Sequence, residues 1–146
     1  MAIEILNLTK RKIDASHVER IAEAALGQTK GEGEISLSVV FVGEKRMRDL
    51  NREYHGKDAA TDVLSFSSSK NFPSGQINGK FIGEVFVCPS VINHNSSKLG
   101  ISSSREFAHV IIHGVLHLLG YEHESSEKKH EEMHSLEEEI MNRLKV

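Results

Sequence analysis

Apolar residues along the chain change period several times, and each change marks an element. AIEILNL at 2–8 sets Ile3 and Ile5 on one face against Glu4 on the other, the two-residue period of a half-buried strand. ISLSVVFV at 35–42 places Ile35, Leu37, Val39 and Phe41 on one face and Val40 and Val42 on the other, as a strand inside a sheet does. FIGEVFVC at 81–88 alternates likewise, and its lone Glu84 points to a solvent-facing edge, since a buried carboxylate needs a partner. A fourth, short strand is expected in KDAATDVLSF at 57–66, entered through a loop holding Asp58, Thr61 and Asp62.

Between the strands the pattern turns helical. Ser16 and Glu19 form a capping box ahead of Val18, Ile21, Ala22 and Ala25, and Gly27 ends that helix. The loop KGEGE then leads to the second strand. After Gly43, EKRMRDLNREY has only the narrow stripe Met47, Leu50 and Tyr54, so this helix should be mostly exposed. SSSKNFPSGQINGK at 67–80 reads as a flexible loop, and PSVINHNSSKLG at 89–100 as a short helix or irregular link. Ser125 or Ser126 opens a last helix with Met133, Leu136, Ile140 and Leu144 on its apolar face. That helix is expected to pack and carry no chemistry, with His94, His130 and His134 at the surface. The element order predicts one α/β or α+β domain over 1–146, a mixed sheet of about four strands covered by helices.

One segment stands apart. Ser103 and Glu106 form a capping box before a helix that is apolar almost all round, through Val110, Ile111, Ile112, Val115, Leu116, Leu118 and Leu119, and such a helix is buried. His109, His113 and His117 recur along it every fourth residue, on one stripe. Buried imidazoles cost free energy unless each is paired, and a metal ion is the natural partner. At 1.5 Å per residue His109 and His117 stand about 12 Å apart along the axis, too far to share an ion, whereas neighbours four apart can meet. Gly120 selects His113 and His117, because a left-handed turn there swings the chain back and brings His123 to the same ion. The spacing His113-x3-His117-x2-Gly120-x2-His123 is that of the extended zincin motif, which suggests a metzincin-like arrangement around this central helix. Gly114 occupies the position of the zincin glutamate, the general base of those peptidases, so a metallopeptidase is a remote alternative. Glu106 and His109 lie on the same side as His113 and could orient a ligating ring.

HGVLHLLGYEH at 113–123 closely resembles the signature H-G-x-L-H-L-x-G-Y-D-H of the YbeY family of bacterial single-strand endoribonucleases. LNREYHGKDAATDVLSF at 50–66 resembles the same family's L-N-x-x-Y-R-x-x-D-x-P-T-D-V-L-S-F block, and GEVFVC at 83–88 its following strand. The resemblance implies a zinc-dependent endoribonuclease in ribosomal RNA maturation, at the 16S 3′ end, and in ribosome quality control. It implies one zinc ion on His113, His117 and His123, with the fourth position open to a water whose pKa such a site lowers to about 7. The chain departs from the pattern at His55, where the family has Arg, at Ala60, where it has Pro, and at Glu122, where it has Asp. The arginine's role does not carry over, but a histidine, which titrates near neutrality, can do acid–base work that arginine cannot, and His55 is the candidate catalytic side chain.

Charge narrows the partners. Residues 1–120 hold 14 basic and 13 acidic side chains and residues 121–146 hold 4 and 8, so the acid lies in the tail and any RNA contact must be a local patch. Lys45, Arg48 and Arg52 fall on one side of the second helix and are the candidate phosphate contacts, against the alternative of a solvated face. One cysteine, Cys88, excludes an internal disulfide and reads as a small buried hydrophobe. No apolar run is long enough to span a bilayer or form a leader, so a cytoplasmic protein without membrane contact is expected, acting as a monomer on RNA beside ribosome-associated proteins. The alternative from a different class is a non-enzymatic metal-binding module on a ribosome-associated partner. The absence of Glu at 114 and Arg at 55 favours the module; the absence of an obvious fourth Cys or His ligand favours the enzyme.

Overall fold

Ala2–Asn7 (β1) and Ile35–Phe41 (β2) run parallel, with Ile3 opposite Leu37 and Ile5 opposite Val39. Val63–Ser67 (β3) and Lys80–Val87 (β4) pair antiparallel, and β4 joins β2 in parallel, giving the sheet order β1-β2-β4-β3. This computed structural model describes residues 2–27, 35–68, 80–121 and 126–146. Its helices are Ala15–Leu26 (α1), Glu44–His55 (α2), Pro89–Leu99 (α3), Ser103–Leu118 (α4) and Glu127–Leu144 (α5). The fold is α+β with a four-stranded mixed sheet, as the pattern predicts.

Register divides the core into two layers. Leu37, Val39 and Phe41 of β2, with Val85 and Val87 of β4, face α1, α4 and α5 in one large buried cluster. On the opposite face Val40, Phe86 and Leu64 stand in one row across β2, β4 and β3, over Met47 of α2 and Cys88. Only Met47 and Asn51 of α2 are buried, which its narrow apolar stripe anticipates. No helix among the described residues is long and apolar enough to cross a membrane.

Several local expectations shift. Glu84 is not at an edge: β4 is paired on both sides, with Ser38 and Phe66 flanking this position. Alternation reveals the pleat of a strand but not which strands flank it. Helix α1 starts earlier than the capping box suggests, because Asp14 is the extended residue whose carboxylate accepts from the His17 amide at 3.2 Å, leaving Ser16 inside the helix. Helix α4 is likewise capped by Ser102, which accepts from the Arg105 amide at 3.1 Å, while the Ser103 hydroxyl donates to Asn93 Oδ1 at 2.5 Å and ties α4 to α3. Residues 89–99 are a regular helix opened by Pro89, although Asn and Ser are poor helix formers; the burial of Ile92 and Ser96 overrides propensity. The loops at 30–34 and 69–79 lie outside the described residues.

Candidate metal centre

The closeness of α4 to the sheet is set at Gly114. The Ser65 hydroxyl donates to the Gly114 carbonyl at 2.9 Å, and a β-carbon at 114 would stand 2.6 Å from Val85 Cγ1 and 3.1 Å from Val63 Cγ2. Position 114 therefore points into the sheet, and the histidine stripe occupies another face of the helix, where His109, His113 and His117 are half-buried. At the helix end the Gly120 amide donates to His117 O and the Tyr121 amide to Leu116 O, both at 3.0 Å, with Gly120 at φ +97°. This paired C-terminal motif ends the helix in the left-handed turn expected at Gly120. His123 itself lies outside the described residues.

His113 and His117 present their Nε2 atoms to each other at 3.0 Å. Two nitrogens on one tetrahedral zinc, at about 2.0–2.1 Å each, stand about 3.3 Å apart, so this pair fits a shared ion with little movement. The other nitrogen of His113, Nδ1, donates to Glu137 Oε2 at 2.5 Å. Glu137 Oε1 accepts from His109 Nε2 at 3.1 Å, and His109 Nδ1 donates to Glu106 Oε1 at 3.0 Å. His109, His113 and Glu137 offer ligand atoms within 4.8 Å of one another, so this group too could hold a metal ion.

The charges of this network are coupled. The hydrogen bond to Glu137, reinforced by the one to Glu106 and opposed by burial, raises the His109 pKa to about 9. Burial pushes the Glu137 carboxyl up, but the hydrogen bonds from His109 and His113 outweigh it and bring its pKa down to about 2. Glu137 is a carboxyl group only 4% exposed, held between two imidazoles.

Elsewhere, Arg48 Nε donates to Asp58 Oδ1 at 2.8 Å, and Arg52 pairs with Asp58 at 3.3 Å and Asp49 at 2.9 Å. Part of the positive run is therefore neutralised locally. Arg48 is the first cause holding the Asp58 pKa down at about 2. His55 is exposed and stacks on Phe66 of β3, with ring centroids 6.2 Å apart, on the α2 side of the sheet.

A family model described as Endoribonuclease YbeY matches residues 4–145. A protein named Endoribonuclease YbeY from Aquifex aeolicus is 33% identical over 140 residues, covering 96% of this chain and 90% of its own. Another, from Pelotomaculum thermopropionicum, is 36% identical over 151 residues, covering 100% and 99%. The chain belongs to the YbeY endoribonuclease family. It is accordingly an enzyme of the hydrolase class, an endoribonuclease. The solution structure of TM1509 from Thermotoga maritima has the same fold, with a TM-score of 0.60, 28% identity, and coverage of 98% of this chain and 91% of that one.

Within this YbeY chain, one residue of the network escaped the sequence reading. Helix α5 does more than pack: Glu137 interrupts its buried face, where Met133, Ile140 and Met141 are the other buried positions. An acid in register with that apolar stripe was the available signal, since a carboxylate there must find a partner across the interface.

Proposed function

We propose that this chain is a zinc-dependent, single-strand-specific endoribonuclease that matures ribosomal RNA, holding one zinc ion through His113, His117 and His123. The observation that carries the reading is the convergence of the His113 and His117 Nε2 atoms while Glu137 holds the opposite nitrogen of His113. Carboxylate–histidine–metal arrays are built this way. The same observation favours this site over an ion among His109, His113 and Glu137, because the His113 nitrogen facing Glu137 carries a hydrogen. An ion bound here supplies a Lewis acid for phosphoryl oxygen and lowers the pKa of water.

The remaining roles fall to side chains of the chain. Gly114 has neither a proton acceptor nor room for one, so proton transfer does not come from the zincin position. His55 is our candidate for assisting cleavage. Lys45, Arg48 and Arg52 are our candidates for phosphate contact, with phosphate displacing Asp58 and Asp49 from the two arginines. Ribosomal RNA as substrate, at the 16S 3′ end, ribosome-associated partners, a part in ribosome quality control, monomeric action and a cytoplasmic site rest on the resemblance of the two motif blocks.

The test is cleavage of single-stranded and structured RNA by purified, metal-quantified protein beside a His117→Ala variant. Loss of both metal and single-strand cleavage in the variant is expected. Equal cleavage by the two proteins would overturn the assignment.

A further inference from the structure

We propose that Glu137 is a positioning residue of the metal centre: it fixes His113 in the tautomer whose lone pair, on Nε2, can bind an ion. The proposal rests on reading His113 and His117 as ligands, and adds that α5, a helix that carries neither of them, sets their geometry.

Each oxygen of Glu137 faces an imidazole nitrogen, and a carboxylate spanning two rings in this way accepts from both, so each nitrogen facing it bears the hydrogen. For His113 that nitrogen is Nδ1, at 2.5 Å, so in the neutral ring the lone pair is on Nε2, directed at His117. The second oxygen is occupied as well. His109 bridges Glu137 at 3.1 Å and Glu106 at 3.0 Å, a strut that stops the carboxylate from turning away from His113.

The helix behind Glu137 is also fixed. Met133 and Ile140, one turn to either side, are 1% and 0% exposed. From α4, Arg105 grips the end of α5 through the Val146 carbonyl at 2.7 Å and Glu138 at 3.0 Å. The carboxylate is therefore held from both helices.

Zinc affinity, by competition with a chromophoric chelator, and imidazole ¹⁵N shifts, by long-range ¹H–¹⁵N correlation, would be measured for the full-length wild type, Glu137→Ala, Glu137→Gln and His117→Ala. In the metal-free wild type His113 should be the Nδ1–H tautomer, and zinc should shift its Nε2 resonance. Glu137→Ala should lose about 10- to 100-fold in zinc affinity and populate the other tautomer of His113. Glu137→Gln, whose amide oxygen still accepts from Nδ1, should recover most of that affinity. Wild-type affinity and tautomer in folded Glu137→Ala would overturn the proposal. So would zinc on His113 Nδ1 with Glu137→Gln as weak as Glu137→Ala, which would make Glu137 a direct ligand. If Glu137→Ala does not fold, the wild-type tautomer alone decides, an Nε2–H form of His113 being fatal. Undiminished zinc affinity in His117→Ala would instead remove the underlying metal reading, so the two failures are distinguishable.

Discussion

The Ser65 hydroxyl donates to the carbonyl of Gly114 at 2.9 Å, a bond from strand to helix that only a residue without a side chain permits. The position that holds a glutamate in zincins is here a packing contact. An alanine at 114 would gain about 1 kcal/mol of helix propensity, but its methyl would lie 2.6 Å from Val85 Cγ1, and overpacking costs about 1–3 kcal/mol. Gly114→Ala should therefore be less stable than wild type in urea unfolding, and Gly114→Glu much less so, without peptidase activity. A Gly114→Glu protein as stable as wild type would show that the site tolerates the zincin side chain.

Metal removal should be visible in the melting curve. With free zinc about 100-fold above its dissociation constant, binding contributes about 2.7 kcal/mol, or about 5–10 °C in a domain of this size. Chelation should remove that increment, and His117→Ala should melt like the chelated wild type. A melting temperature indifferent to chelator would count against a bound ion.

Asp58 holds Arg48 and Arg52, so it opposes any role for them on RNA. Asp58→Asn should strengthen binding to single-stranded RNA and steepen its salt dependence, by up to about 0.7 in log–log slope for each further phosphate that the freed arginines neutralise. Arg48→Gln with Arg52→Gln should do the reverse. Slopes unchanged in both proteins would return this helix face to solvent.

The same pair gives a signed pH dependence. The Asp58 pKa is depressed to about 2, so its contribution to stability is complete above its ordinary value near 4 and is lost as pH falls toward 2. Wild-type unfolding should show this component between about pH 4 and 2, and Asp58→Asn should lack it. Coincident acid-unfolding curves would show that the exposed pair adds nothing measurable, as is common at a surface.

His55 is tested by its ionisation. If it assists cleavage, His55→Ala should slow single-turnover hydrolysis between about pH 5.5 and 8.5, and His55→Arg should remove one ionisation from the profile. Three coincident profiles at matched metal content would make it a bystander stacked on Phe66.

What the sequence determined on its own is what depends on neighbours in the chain. The two-residue period located three of the strands and the polar loop at Asp58–Asp62 announced the fourth, the four-residue histidine spacing put His113 and His117 on one face, and Gly120 set the turn that follows them. Caps were legible to within a residue or two, because Asp14 and Ser102 compete with nearby residues that have equivalent side chains. Tertiary structure decided what depends on segments distant in sequence. It put β4 inside the sheet, so Glu84 is not at an edge, and it pressed Gly114 against Ser65, 49 positions away. It also brought Glu137 to His113 across 24 positions, which no periodicity within either helix encodes. The match of one helix's lone buried acid to another's imidazole exists only once both apolar faces have closed on each other.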